Sequence, residues 1–288
     1  MDKESLLKKV RSIEIKARGL SNHIFAGAYQ TLFKGKGMTF SEVREYIPGD
    51  DIRDIEWNVT ARFSNPYVKV YEEDRAINLM LLIDISNSIQ NAMHQNPKRE
   101  IIAELAAVLA FSALKNNDNV GAIFFAGNIE YYIPPKKGKQ HILSIIRSIL
   151  TVEPKDHNTS NFKEAIHFMN KTSKRKNIVF LISDLWGEIP DKELRMAAIK
   201  HDFIALQILD KTDNELLDLG LIRAKDSESG RMLWLSTNQR KNRKRYTHVF
   251  EERQKELKNK FLKYKADLVC FPSNEDYYKN LKLFFKRR

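Results

Sequence analysis

Asp84, Ser86 and Ser88 stand at alternate positions in the stretch Asp84-Ile85-Ser86-Asn87-Ser88, which follows directly on the apolar run Leu79–Ile83. They present one carboxylate and two hydroxyls, all hard oxygen donors, with no Cys or His close by. Such donors suit Mg²⁺, Mn²⁺ or Ca²⁺ better than zinc or copper. One carboxylate and two neutral hydroxyls leave a bound divalent ion net positive, so it would take a further anion from outside. A competing reading is that these residues cap backbone amides at the start of a helix, as Ser, Asp and Asn commonly do. Taken alone, the stretch does not separate the two.

Positioning such a loop requires a strand that ends at it. Leu79–Ile83 is long enough for a strand buried on both faces, and Val120–Ala126, Ile178–Ser183 and Phe203–Leu209 have the same character. Between them, Arg99–Lys115, Gln140–Leu150 and Phe162–Asn170 read as helices. The alternation predicts an α/β fold with a doubly wound, mostly parallel sheet. Ligands in such sheets sit beyond the carboxyl ends of the strands. Asp184 follows Ile178–Ser183 as Asp84 follows Leu79–Ile83, and the polar loop from Pro154 to Asn161 brings Thr159 and Ser160 to the same edge. Capping accounts for each loop separately but not for oxygen donors on all three, so the convergence favours a metal.

The chain has 288 residues, an apolar fraction of 42 % and a single cysteine, Cys270, which lies in an apolar run. This is enough for a large domain with a smaller companion, without a disulfide framework and in a reducing compartment. The charged N-terminus is helix-periodic over Leu6–Ala17 rather than signal-like, and the apolar segment Ile101–Leu114 is too short to span a bilayer. The expectation is a cytoplasmic protein without a transmembrane segment. A net charge of +12 is concentrated in Lys171–Lys176 and Arg240–Arg245. Neither run is interleaved with the aromatics of a base-stacking platform, which favours a solvated basic face over a nucleic-acid site.

Residues 1–76 read as a helix followed by a small β-rich module, and 77–288 as the main domain with a β-hairpin inserted near 221–236. Within the module, Pro48-Gly49-Asp50-Asp51 marks a turn and Tyr67–Tyr71 an edge strand. Arg44, Glu45, Asp50, Asp51, Arg53, Asp54 and Glu56 are expected to pair with one another and hold the module to its neighbour. Pro134-Pro135 is expected to close a short strand at Glu130–Ile133, and Trp234 of the hairpin to be either an exposed anchor for a partner or, as is more frequent for such a residue, packed in the core or at its rim. A long charged helix over Arg245–Lys263, a strand at Leu268–Phe271 and a helix over Asp276–Phe285 complete the chain.

The sequences DISNS at 84–88, TSNFKEAI at 159–166 and LISDLW at 181–186 resemble the three loops of a metal-ion-dependent adhesion site in a von Willebrand factor A domain. That resemblance implies Mg²⁺ (or Mn²⁺) held by Asp84, Ser86, Ser88 and Asp184, with Ser160 at the position the family fills with Thr. It also implies a carboxylate from a binding partner completing the shell. The run FSEVREYIPGDDIRDIEWNVTARFSNPYVKVYEEDR, residues 40–75, resembles the signature of domain-of-unknown-function family 58, the von Willebrand factor A-like proteins associated with MoxR ATPases. The function so implied is a non-enzymatic metal-dependent protein-binding module, an adaptor or assembly factor for a MoxR-type AAA+ ATPase. The alternatives are a Mg²⁺-dependent phosphohydrolase, which would need a second Asp where Ser86 stands, and a nucleic-acid-binding protein using the basic runs.

Overall fold

Short apolar runs alternate with helices along most of this chain, and in three dimensions the runs gather into one sheet. The computed structural model describes residues 3–24, 38–63, 65–73, 77–90, 97–154, 160–225, 232–272 and 276–288. In chain order the described residues form α1 (Lys3–Ile24), β1 (Met38–Glu45), β2 (Tyr67–Glu73), β3 (Asn78–Asp84), α2 (Pro97–Lys115), β4 (Asn119–Phe125), β5 (Ile129–Lys136) and α3 (Lys139–Thr151). They continue with α4 (Phe162–Thr172), β6 (Ile178–Ser183), α5 (Asp191–Lys200), β7 (Asp202–Leu209), β8 (Leu221–Lys225), β9 (Met232–Ser236), α6 (Arg240–Lys263), β10 (Asp267–Pro272) and α7 (Tyr277–Arg287). Single helical turns occur at Trp57–Thr60, Asn87–Gln90 and Lys211–Asn214.

The central sheet has the order β10-β7-β6-β3-β4-β5, parallel throughout except for β5. Its alternating side chains feed two cores, so both faces are covered by helices. Leu79, Leu81 and Ile83 of β3 join Ala122, Phe124, Phe180 and Leu206 beneath α1, α2, α3 and α7. Met80 and Leu82 join Ile123, Val179 and Leu181 beneath α4, α5 and α6. Burial on both sides explains why these strands read as continuous apolar runs. Helix α1 contributes Val10, Ile13 and Ala17 to the first core, and Lys16 donates to Glu104 of α2 at 2.6 Å.

The outermost strand departs from expectation. β5 runs through Pro134 and Pro135 instead of ending before them, and it pairs antiparallel with β4. Proline removes a donor that only an edge strand can spare. The ladder shifts register between Val120 and Ala122 as the prolines pass. Helix α6 begins five residues earlier than its pattern suggests, at Arg240. Helix α5 is absent from the reading of the sequence altogether.

β1 and β2 form a separate antiparallel ribbon, and β8 and β9 another. In the first, the turn at Gly49 (φ 113°) lets Asp50 accept both guanidinium arms of Arg44 at 2.8 Å. Arg53 binds Asp51 at 2.8 Å and Lys69 binds Glu56 at 2.5 Å. Each of these pairs joins two residues of the ribbon region itself and none ties it to the larger sheet. Among the described residues no helix is long and apolar enough to cross a membrane.

The register shift depends on Gly121, where a Cβ would lie 2.7 Å from Met80 Sδ and 3.0 Å from the Ile133 carbonyl oxygen and the Pro135 nitrogen. Gly121→Ala is expected to lower stability by about 1–3 kcal/mol through overpacking. Chemical denaturation checks this: the midpoint falls while the slope is unchanged.

Candidate metal centre

Asp84 closes β3, and Ser183 closes the neighbouring β6 immediately before Asp184. Ile83 lies beside Ile182 in parallel register, so the next residues of the two strands, Asp84 and Ser183, are brought together. The chain leaves β3 for β4 on one side and later returns to β6 on the other, which opens a crevice at their carboxyl ends.

Asp84 is fully buried, and its carboxylate is surrounded by donors. Oδ1 accepts the Ser86 amide at 2.9 Å, and Oδ2 accepts the hydroxyls of Ser160 at 2.7 Å and Ser183 at 2.6 Å. Ser160 Oγ also lies 2.9 Å from Ser86 Oγ, which is 3.1 Å from Ser88 Oγ. Ser88 in turn hydrogen-bonds the Asp184 carboxyl. Each hydroxyl has one proton and two lone pairs, so this row retains acceptor capacity after its own bonds are made. The structure therefore brings together Asp84, Ser86, Ser88, Ser160 and Asp184. Thr159, the other candidate in the second loop, lies outside the described residues.

Charge at this point is out of balance. Burial pushes the Asp84 carboxyl upward against the opposing hydrogen bonds from Ser183, Ser86 and Ser160. Asp184 is pushed up to about 6, first by burial and then by the charge of Asp84, with Lys98 opposing. Lys98, its side chain 6 % exposed, lies 2.8 Å from Asp213 Oδ2 and 3.5 Å from Asp184 Oδ2. Burial alone would lower its pKa, but the carboxylates of Asp184 and Asp213 outweigh burial and raise it. The ionised cluster thus holds three carboxylates against one ammonium, and a divalent cation would close the difference. Among the described residues no group of three or more His, Cys, Asp or Glu side chains could hold a metal ion. A cation here would rest on the hydroxyls as much as on the carboxylates, which is the donor chemistry of Mg²⁺ and Mn²⁺.

Neighbouring elements clamp the three loops. Asn161 caps α4 by accepting the Glu164 amide at 3.1 Å, and it ties the Ser160 loop to the end of β4 through Ala126 and Gly127. After Asp184 the backbone takes a left-handed conformation at Leu185 (φ 57°), which a branched residue adopts only under constraint. Arg253 of α6 supplies that constraint, donating to the carbonyls of Leu185, Trp186 and Gly187 and lying 5.0 Å from the Trp186 ring centroid. A Cβ at Gly187 would come within 2.8 Å of the Ser160 carbonyl oxygen and the Phe162 ring, so the second and third loops touch there. Gln207 donates to the Asp184 carbonyl at 3.1 Å and accepts the Cys270 thiol, whose pKa burial raises, as expected of an inert cysteine.

Sequence reasoning missed Ser183, Lys98, Asp213 and Arg253. Ser183 was within reach, because any residue that precedes Asp184 at a strand end lies level with Asp84. Lys98 and Arg253 carry no local signal.

A family model described as "Protein of unknown function DUF58" matches residues 42–256. An uncharacterized protein of Mycobacterium tuberculosis is 29 % identical over 232 residues, covering 80 % of this chain and 73 % of the relative. The uncharacterized protein YeaD of Bacillus subtilis is 26 % identical over 176 residues, covering 61 % of this chain and 41 % of its own length. Among solved structures, the conserved hypothetical protein BatB from Bacteroides thetaiotaomicron has a TM-score of 0.45 at 14 % identity, covering 73 % of this chain and 98 % of that one. At this level of likeness it adds nothing to the geometry above.

The elevated Asp184 pKa has a measurable consequence. A carboxyl that titrates higher in the folded than in the unfolded state favours folding at low pH, and that advantage is lost as pH rises from about 4 through about 6. At about 1.4 kcal/mol per pH unit the loss is about 3 kcal/mol. In chelator, wild type is therefore expected to lose stability relative to Asp184→Asn between pH 4 and 7, on the order of this amount. Thermal or chemical unfolding of the two proteins across that range checks it.

Proposed function

The chain belongs to the family of proteins of unknown function DUF58, and from that premise we propose that it is a non-enzymatic, metal-ion-dependent protein-binding module of von Willebrand factor A type. The observation that carries this reading is the meeting of Asp84, Ser86, Ser88, Ser160 and Asp184, from three loops, in one strand-end crevice with surplus negative charge. In this reading Asp84, Ser86, Ser88, Ser160 and Asp184 would together hold Mg²⁺ or Mn²⁺, the two carboxylates also supplying the compensating charge. The ion, when bound, supplies a Lewis-acidic anchor for an acidic side chain of a protein partner.

The chain's own residues prepare that anchor. Ser183 and the Ser86 amide orient Asp84, Ser88 and Lys98 orient Asp184, and Arg253 and Asn161 hold the loops that bear the donors. Ser86 occupies the place where a phosphohydrolase using Asp84 as nucleophile would need its second carboxylate, which supports binding rather than turnover. By resemblance to the von Willebrand factor A-like proteins associated with MoxR ATPases, the partner system includes a MoxR-type AAA+ ATPase. The role is then that of an adaptor or assembly factor in the cytoplasm.

Titration calorimetry tests the reading. Wild type is expected to take up Mg²⁺ or Mn²⁺, and Asp84→Asn to lose measurable uptake. Outer-shell groups alone are worth about 10- to 100-fold in metal affinity, so Ser160→Ala is expected to weaken binding at least about tenfold and Ser160→Thr to preserve it. Partner capture should disappear in chelator and with Asp84→Asn. Absence of ion uptake by wild type, or capture that survives Asp84→Asn, overturns the proposal.

A further inference from the structure

Of the two placements the sequence leaves open, Trp234 takes the exposed one rather than the more frequent packed one. It is 68 % exposed on β9, with Leu233 at 60 % and Met232 also exposed beside it, and Leu219 and Leu221 are exposed on and before the paired strand. The exposure is two-sided. In the register, Trp234 stands opposite Arg223 and Leu221 opposite Ser236, while Leu233, one residue on, belongs to the other face. A folded protein partner would cover one face of such a ribbon and leave the other in water.

The base of the ribbon is joined to the start of α6. Asn242 donates to the Ser236 carbonyl at 2.8 Å, and Arg243 donates to Asp218 Oδ2 at 2.7 Å and to the Thr237 carbonyl at 2.8 Å. Five of the six residues from Arg240 to Arg245 are basic, and of these Arg240, Lys241, Lys244 and Arg245 are exposed. Between ribbon and helix a cleft of about 320 Å³ is lined by Leu216, Leu235, Asn242, Arg245, Tyr246 and Val249. The apolar surface therefore runs from the ribbon onto the helix and is bordered by fixed positive charge.

We propose that the β8–β9 ribbon and the first turns of α6 form a docking surface for an anionic phospholipid membrane, with Trp234, Leu233 and Met232 entering the headgroup region and the α6 cations facing the lipid phosphates. Tryptophan favours that interface because its ring is apolar and its N–H needs a wet partner. A fluid interface closes around both faces of a ribbon, which accounts for apolar residues on each. A cluster of four to eight Lys and Arg is the usual electrostatic complement of acidic lipid. Nucleic acid would engage the cations but leave Leu233 and Met232 in water. The proposal does not depend on the metal centre.

Co-flotation with vesicles of phosphatidylcholine, with or without equimolar phosphatidylglycerol, tests it. Wild type is expected to float with the mixed vesicles only, and less so as salt rises. Leu233→Ser/Trp234→Ser and Lys241→Glu/Lys244→Glu are each expected to reduce partitioning on the order of tenfold or more, while Asp84→Asn leaves it unchanged. All the substituted ribbon and helix residues are exposed, and in a Trp57→Phe background, where Trp186 and Trp234 remain, brominated acyl chains should quench fluorescence, with the quenching lost on Trp234→Phe. No flotation at low salt overturns the proposal. So does flotation that survives Leu233→Ser/Trp234→Ser without quenching, duplex DNA binding unaffected by that variant, or self-association that it abolishes.

Discussion

Two carboxylates held out of water at the ends of adjacent strands set the terms for everything around them. Asp84 and Asp184 are both essentially inaccessible to solvent, and each raises the energy of ionising the other. A pair of this kind persists in a fold only where hydrogen bonds and counter-charge are supplied locally. Three serine hydroxyls and a backbone amide serve Asp84 and its surroundings, and the Lys98 ammonium serves Asp184, yet the balance stays negative. A cation would offset that residual charge, and this is why the proposed ion and its oxygen donors form one physical argument rather than two.

Keeping the three donor loops in contact is the task of elements that carry no donors themselves. Arg253 reaches from α6 to three successive carbonyls and holds Leu185 in a left-handed conformation that it would not take unaided. Gly187 lets the third loop approach the backbone of Ser160, and Asn161 fastens that second loop to the end of β4. Preorganisation of this sort lowers the ordering that binding would otherwise require.

The crevice and the exposed ribbon are linked through one stretch of chain. Asp213, which takes the shorter of the two Lys98 contacts, belongs to the helical turn that follows β7, and the backbone runs on from there through Leu216 and Leu219 into β8. Lys98 therefore contacts both the third donor loop and the segment leading to the ribbon. The ribbon is itself secured at its base by Asn242 and Arg243, so its apolar side chains are presented on a braced support.

The amino-acid order by itself determined the alternation of buried strands and helices, the placement of Asp84 and Asp184 just at strand ends, and the oxygen-only character of the donors, because each is a matter of residue type and local period. Helix α5 escaped that reading since only Leu194 and Ala197 are buried while Met196 and Ile199 face water, leaving no apolar stripe. Pro134-Pro135 read as a stop because local sequence does not say that β5 lies at a sheet edge, and the sequence leaves Trp234 open between an exposed and a packed placement because a Trp carries no mark of its neighbours. Lys98 and Arg253 were invisible for the same reason: the partners of Lys98, Asp184 and Asp213, stand 86 and 115 residues away, and those of Arg253 66–68. A charge takes its meaning from what folds against it, and only the tertiary structure decides which distant segments those are.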